Sequence, residues 1–159
     1  MTVLRMTQFI DMAIKDEVSG EAFYKAFAEI TKNAELKAEY EKIADQEHHH
    51  MESFAKMKEA VTEATIPEEY AGQYEAYLNS FLTTRAFPDA AAAAEGAKKV
   101  GGDAAAIDFA IHMEKDTLLM YHEVRDFIPA SHQNFVKQIM DEERQHIATL
   151  TNLKERFAR

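Results

Sequence analysis

The chain has 159 residues and a mass of 18.1 kDa, enough for one ordinary domain. Eighteen Lys and Arg against twenty-eight Asp and Glu leave a net charge of −10, which disfavours a nucleic-acid backbone or an anionic membrane as the main partner. With 47% hydrophobic residues a sizeable core can form, and the lack of Cys excludes disulfides, thiolate nucleophiles, iron–sulfur clusters and Cys-based zinc sites.

From Thr7 to Thr31 the residues Ile10, Ala13, Glu17, Gly20, Tyr24 and Phe27 recur at spacings of three and four, the signature of one helix face. A second helix is expected from about Asn33 to Ala64, with Tyr40, Ile43, Glu47, His50, Phe54 and Met57 as its inner stripe. Pro67 closes this block, because proline lacks an N–H donor and disfavours a helical residue before it. Residues 65–102 read as a long crossover holding two helix-like pieces, Glu68 to Leu82 and Ala90 to Lys99; the first carries Tyr70, Tyr74, Tyr77 and Phe81 on one side.

Gly101-Gly102 marks a restart, with Asp103 expected as the N-cap of a third helix that runs to about Phe127 and stops near Pro129. Ser131 is expected to cap the fourth, which continues to about Phe157. No stretch alternates with period two. The expectation is an all-α single domain over residues 1–159. It is a four-helix bundle made of hairpin one (7–64), a partly helical crossover, and hairpin two (103–157).

The two hairpins repeat one another. An offset of 97 residues aligns Ile10, Asp11, Ala13, Ile14, Glu17 and Tyr24 with Ile107, Asp108, Ala110, Ile111, Glu114 and Tyr121. An offset of 96 aligns Ile43, Asp45, Glu47 and His50 with Ile139, Asp141, Glu143 and His146. Duplication of a helical hairpin accounts for both. A lone Glu-x-x-His is a weak signal, but here two of them fall on apolar stripes at equivalent places, as do Glu17 and Glu114.

Four buried carboxylates are untenable without compensation, since each ionised group loses several kcal/mol of hydration and repels its neighbours. Two divalent cations would balance four Glu beside two neutral His. Spacing i, i+3 puts a carboxylate and an imidazole on one face, and mixed oxygen and nitrogen donors suit iron, manganese or zinc better than calcium or magnesium. Buried ion pairs without metal are the competing reading. Tyr24 and Tyr121, two turns beyond Glu17 and Glu114, are read either as core tyrosines or as hydrogen-bond donors to a carboxylate of the cluster. His48, His49, Asp45 and Asp141 are expected to face solvent.

These segments resemble the ferritin-like, rubrerythrin-type di-iron carboxylate family over residues 7–64 and 103–157. The resemblance is carried by Ala13-Ile14-x-x-Glu17 through Phe23-Tyr24, Glu47-His48-His49-His50, Ala110-Ile111-x-x-Glu114 through Tyr121, and Glu143-Arg144-Gln145-His146. It implies that Glu47 and Glu143 bridge two iron ions, that Glu17 and Glu114 are terminal ligands, and that His50 and His146 each cap one ion. Redox chemistry on peroxide or dioxygen, by peroxide scavenging or ferroxidase action, is then expected; a non-catalytic iron-handling module is the alternative. One position departs from the family pattern, which places an extra Glu one turn beyond the third-helix ligand where this chain has Thr117. A Cys-rich rubredoxin module is missing as well, so the electron donor is expected to be a separate protein. Thirteen residues after His146 leave little room for the fifth helix of a ferritin cage. The first ten residues read as neither signal nor transit peptide, which makes the cytoplasm the expected location and a homodimer the default assembly.

Overall fold

Every residue of the two stripes read from hairpin one is buried, from Ile10 to Phe27 and from Tyr40 to Met57. The computed structural model describes residues 6–61, 76, 77, 80, 89–125 and 128–157. Five helices are described: α1 Met6–Ile30, α2 Ala34–Ala60, α3 Ala90–Lys99, α4 Asp103–Val124 and α5 Ala130–Phe157. Helix α1 packs on α2 and α4 on α5, and the hairpins meet through α1 with α4 and α2 with α5. The fold is the expected all-α, ferritin-like bundle of two hairpins. Among the described residues no helix is long and apolar enough to cross a membrane.

Local chemistry sets the helix starts. Asn33 caps α2, its side chain accepting from the backbone N–H of Glu35 at 2.9 Å and of Leu36 at 3.2 Å. Asp89 does the same for α3 through Ala92 N–H at 2.8 Å. Two expected caps are corrected. Asp103 is the first residue of α4, and the cap is Gly102, whose φ of 103° lies where L side chains are strained. Ser131 lies inside α5 with its hydroxyl beside His132 Nδ1. Helix α2 ends at Ala60, with Val61 as its C-cap. Tyr77 is exposed, while the expected positions Tyr70, Tyr74 and Phe81, and most of the piece from Glu68 to Leu82, lie outside the described residues.

The core has two apolar clusters. One gathers Phe9, Ile10, Phe54, Met57, Tyr121, Val136 and Ile139; the other gathers Phe23, Tyr24, Leu36, Tyr40, Ile43, Ile107, Leu150 and Leu153. Helices α1 and α5 pass from the first cluster to the second, and α2 and α4 from the second to the first, so contacting helices run antiparallel. Helix α1 is buried on a second face as well. Ala93 and Ala97 of α3 join the cluster around Phe23 and Phe27, their small side chains letting α3 approach α1 closely.

The repeat extends to exposed charges. Lys58 holds Asp11 across hairpin one and Lys154 holds Asp108 across hairpin two, each at 2.5 Å and at matching positions. Half-exposed pairs of this kind contribute about 0–1 kcal/mol. Phe23 is fully buried, with ring centroids 5.0 Å from Phe27 and 5.1 Å from Phe109. Urea unfolding of the metal-free protein should therefore rank the two classes clearly. Phe23→Ala is expected to cost about 3–5 kcal/mol, and Lys58→Ala no more than about 1 kcal/mol.

Candidate metal centre

The two apolar clusters are separated on all four bundle helices by the same polar layer. Glu17 comes from α1, Glu47 and His50 from α2, Glu114 from α4, and Glu143 and His146 from α5. These are the six buried polar residues of the described core, none more than 5% exposed. All six positions singled out by the repeat thus converge. Their donor atoms fall into two overlapping sets, Glu17, Glu47, His50 and Glu143, and Glu47, Glu114, Glu143 and His146, each with atoms within 4.8 Å of one another. Glu47 and Glu143 belong to both.

Each imidazole turns Nδ1 into the layer. His50 Nδ1 is 3.2 Å from Glu17 Oε2 and 3.1 Å from Glu143 Oε1. His146 Nδ1 is 3.2 Å from Glu143, 3.3 Å from Glu47 and 3.6 Å from Glu114. The rings stack with centroids 6.0 Å apart.

Burial and mutual repulsion dominate the electrostatics. Desolvation, followed by the charges of Glu143, Glu17 and Glu114, pushes the Glu47 carboxyl well above the ordinary range. Burial and the charge of Glu143 raise Glu114 to about 7. For Glu143 burial acts upward too, but the adjacent imidazoles of His146 and His50 outweigh it and hold the group low. Burial works against a charged imidazole at His50, yet Glu143 and Glu17 prevail and lift it to about 12; His146 is raised in the same way by Glu114, Glu143 and Glu47.

Without metal, then, two imidazolium groups partly offset the carboxylates, which the sequence argument had treated as neutral. The compensation is incomplete. Among the described residues, Glu143 Oε1 and Glu47 Oε1 are buried with only an imidazole Nδ1 near them, at 3.1 and 3.3 Å and without a well-formed hydrogen bond, and His146 Nε2 is buried without one. A cation shared by both sets would satisfy these two carboxylate oxygens, and three carboxylate-bearing residues with one imidazole per set suit a first-row transition metal. The residues fit a pair of divalent ions.

The tyrosines connect the hairpins crosswise. Tyr24 of α1 donates its hydroxyl to Glu114 of α4, and Tyr121 of α4 donates to Glu17 of α1. Burial, with Glu114 beside Tyr24 and Glu17 beside Tyr121, raises both phenols above their ordinary range, so they remain donors. Of the two readings open from sequence, hydrogen bonding to the layer is the observed one.

Gly20 has a spatial reason: a Cβ there would stand 2.7 Å from Glu47 Oε2. Thr117 occupies the matching place on α4 and reaches Asp16 Oδ2 at 3.3 Å. Asp45, Asp141 and His49 are exposed, and half-buried His48 lies 3.2 Å from Glu21. Sequence reasoning missed Glu142, whose Oε2 is 3.0 Å from His50 Nε2. The available signal was a carboxylate directly preceding Glu143 with Gln46 at the matching position of hairpin one.

Residues 8–154 match the rubrerythrin family, and the chain belongs to it. A Thermotoga maritima protein described as a ferritin-like diiron-carboxylate protein is similar at 27% identity and TM-score 0.75, covering 98% of this chain and 97% of its own. The manganese catalase KatB of Anabaena shares the fold at 20% identity and TM-score 0.67, covering 96% of this chain and 73% of its own. No curated protein sequence matches the chain.

Gly20→Ala should push Glu47 aside. Calorimetric titration is expected to show divalent-metal affinity falling about tenfold or more, while metal-free stability holds or rises, since Ala is favoured over Gly in a helix by ~1 kcal/mol.

Stability of the chelated protein should depend on pH in one direction. Glu114 keeps its proton in the folded state up to about 7 against an ordinary 4.5, so its contribution is lost as pH rises through that interval. The His50 contribution is complete below the ordinary 6.5 and lost progressively above it towards about 12. Glu143, held low, opposes this trend only below 4.5. Urea midpoints measured with EDTA should fall between about pH 5 and about pH 9; a flat or rising series would contradict the assigned shifts.

Proposed function

We propose that this member of the rubrerythrin family is a redox protein that holds two metal ions, iron in the first instance, and acts on peroxide or dioxygen as a peroxide scavenger or ferroxidase. The observation carrying this reading is the pair of buried donor sets that share Glu47 and Glu143, each shared residue with a carboxylate oxygen that has no hydrogen bond. Glu47 and Glu143 would serve both ions, Glu17 and Glu114 would hold one each, and His50 and His146 would complete one each. When bound, two ferrous ions supply the two electrons that, with two protons, convert peroxide into two waters. The described similarity to a diiron-carboxylate protein supports iron, and the same donor mixture also accommodates manganese or zinc.

The protein's own contribution is orientation and exclusion of water. Crossed tyrosine hydroxyls hold Glu17 and Glu114 at one end of each carboxylate, leaving the other oxygen for an ion. Phe54, Tyr121 and Ile139 on one side, and Phe23, Tyr24 and Ile107 on the other, are apolar layers that keep bulk water from the cluster. In this reading electrons for repeated peroxide turnover come from a separate donor protein. Thr117, where the family pattern has a further Glu, favours a second reading in which iron is held without turnover.

Metal analysis after native purification, followed by anaerobic loading with ferrous ion and addition of peroxide or air, tests the proposal. Two ions per chain and metal-dependent consumption of oxidant are expected, both lost in Glu143→Ala. Two ions without sustained consumption when reductant is supplied would select the non-catalytic reading, and fewer than one ion per chain would overturn both.

A further inference from the structure

The two imidazoles of the cluster are related by the 96-residue repeat, yet their outer nitrogens meet different surroundings. His50 Nε2 lies 3.0 Å from Glu142 Oε2, a side chain 43% exposed. His146 Nε2 is buried and has no hydrogen-bond partner among the described residues. The repeat offset puts Gln46, an uncharged side chain, in the place of Glu142.

An imidazole that offers Nδ1 to a cation must carry its proton on Nε2. A carboxylate accepting that N–H locks the tautomer, fixes the ring plane and makes Nδ1 a better donor. A buried N–H without an acceptor forgoes all three and keeps a desolvation penalty of its own. Both rings already aim Nδ1 at the carboxylates, so the difference between the two positions lies behind the rings.

We propose that Glu142 is the positioning residue of His50, and that the two metal positions are therefore unequal, the one completed by His50 binding a divalent cation more tightly and filling first. This rests on reading the cluster as a dinuclear metal site. The asymmetry belongs to the second copy of the repeat alone: Glu142 acts across the bundle on the histidine of the other hairpin, and the reciprocal contact is missing.

The test is anaerobic titration of the chelator-treated full chain with Co²⁺, followed by calorimetry and by the visible ligand-field absorption of the bound ion. Two resolved steps are expected, the first at least tenfold tighter. Glu142→Gln and Glu142→Ala should weaken the first step by about 10–100-fold and alter its absorption, leaving the second step unchanged. His146→Ala should keep the tight step and His50→Ala should lose it. Equal steps in the wild type, unchanged constants in both Glu142 variants, equal weakening of both steps, or a tight step that survives His50→Ala would overturn the inference. Absence of any Co²⁺ binding by the wild type would instead overturn the dinuclear reading on which it stands.

Discussion

Everything in this bundle answers to one electrostatic constraint: four glutamates meet where the surrounding side chains offer almost no water. An apolar core would exclude such a layer unless opposite charge were supplied within reach. Two histidines supply part of it, contacting the carboxylates at 3.1–3.6 Å through Nδ1. Their charge leaves two carboxylate oxygens without hydrogen bonds and one carboxyl, Glu47, driven far towards its protonated form. The layer is thus tolerable without metal and better matched with it. That is the state of a protein whose stability and metal occupancy are linked through the same protons.

The constraint also explains how two similar hairpins become one bundle. Each hairpin is well packed on itself, and the apolar clusters above and below the layer join the halves. At the layer the joining is polar and crossed, with Tyr24 reaching Glu114 and Tyr121 reaching Glu17. Each hairpin therefore orients a carboxylate belonging to the other. A disturbance of hairpin packing is transmitted directly to donor geometry, with no need for a longer chain of contacts.

Duplication supplies symmetry, and the places where the copies diverge are where the positions of the cluster acquire distinct properties. Gly20 leaves room beside Glu47, whereas Thr117 at the matching place hydrogen-bonds Asp16. Glu142 backs His50, whereas Gln46 stands at the corresponding position before Glu47. The six donor positions are those the two copies share. The divergences belong to the residues around the donors, where substitution alters geometry without abolishing the cluster.

The six cluster residues and the four long helices were legible in the chain itself, because helical periodicity and internal duplication are local or self-referential patterns. Glu17 and Glu114 announced themselves by lying on apolar stripes, where an unpaired carboxylate has no structural justification. Four features needed the folded molecule. The charge state of His50 and His146 depends on carboxylates from other helices, which no spacing within one helix reveals. Likewise, the α-helix cap at Gly102 depends on a backbone angle, and the second buried face of α1 depends on α3 docking there. Glu142 is the clearest case. Its neighbours in sequence point into the cluster or out to solvent, and only the approach of α2 to α5 brings His50 Nε2 within 3.0 Å of it. Residue type and period are properties of the chain, whereas a hydrogen bond between distant elements is a property of their packing.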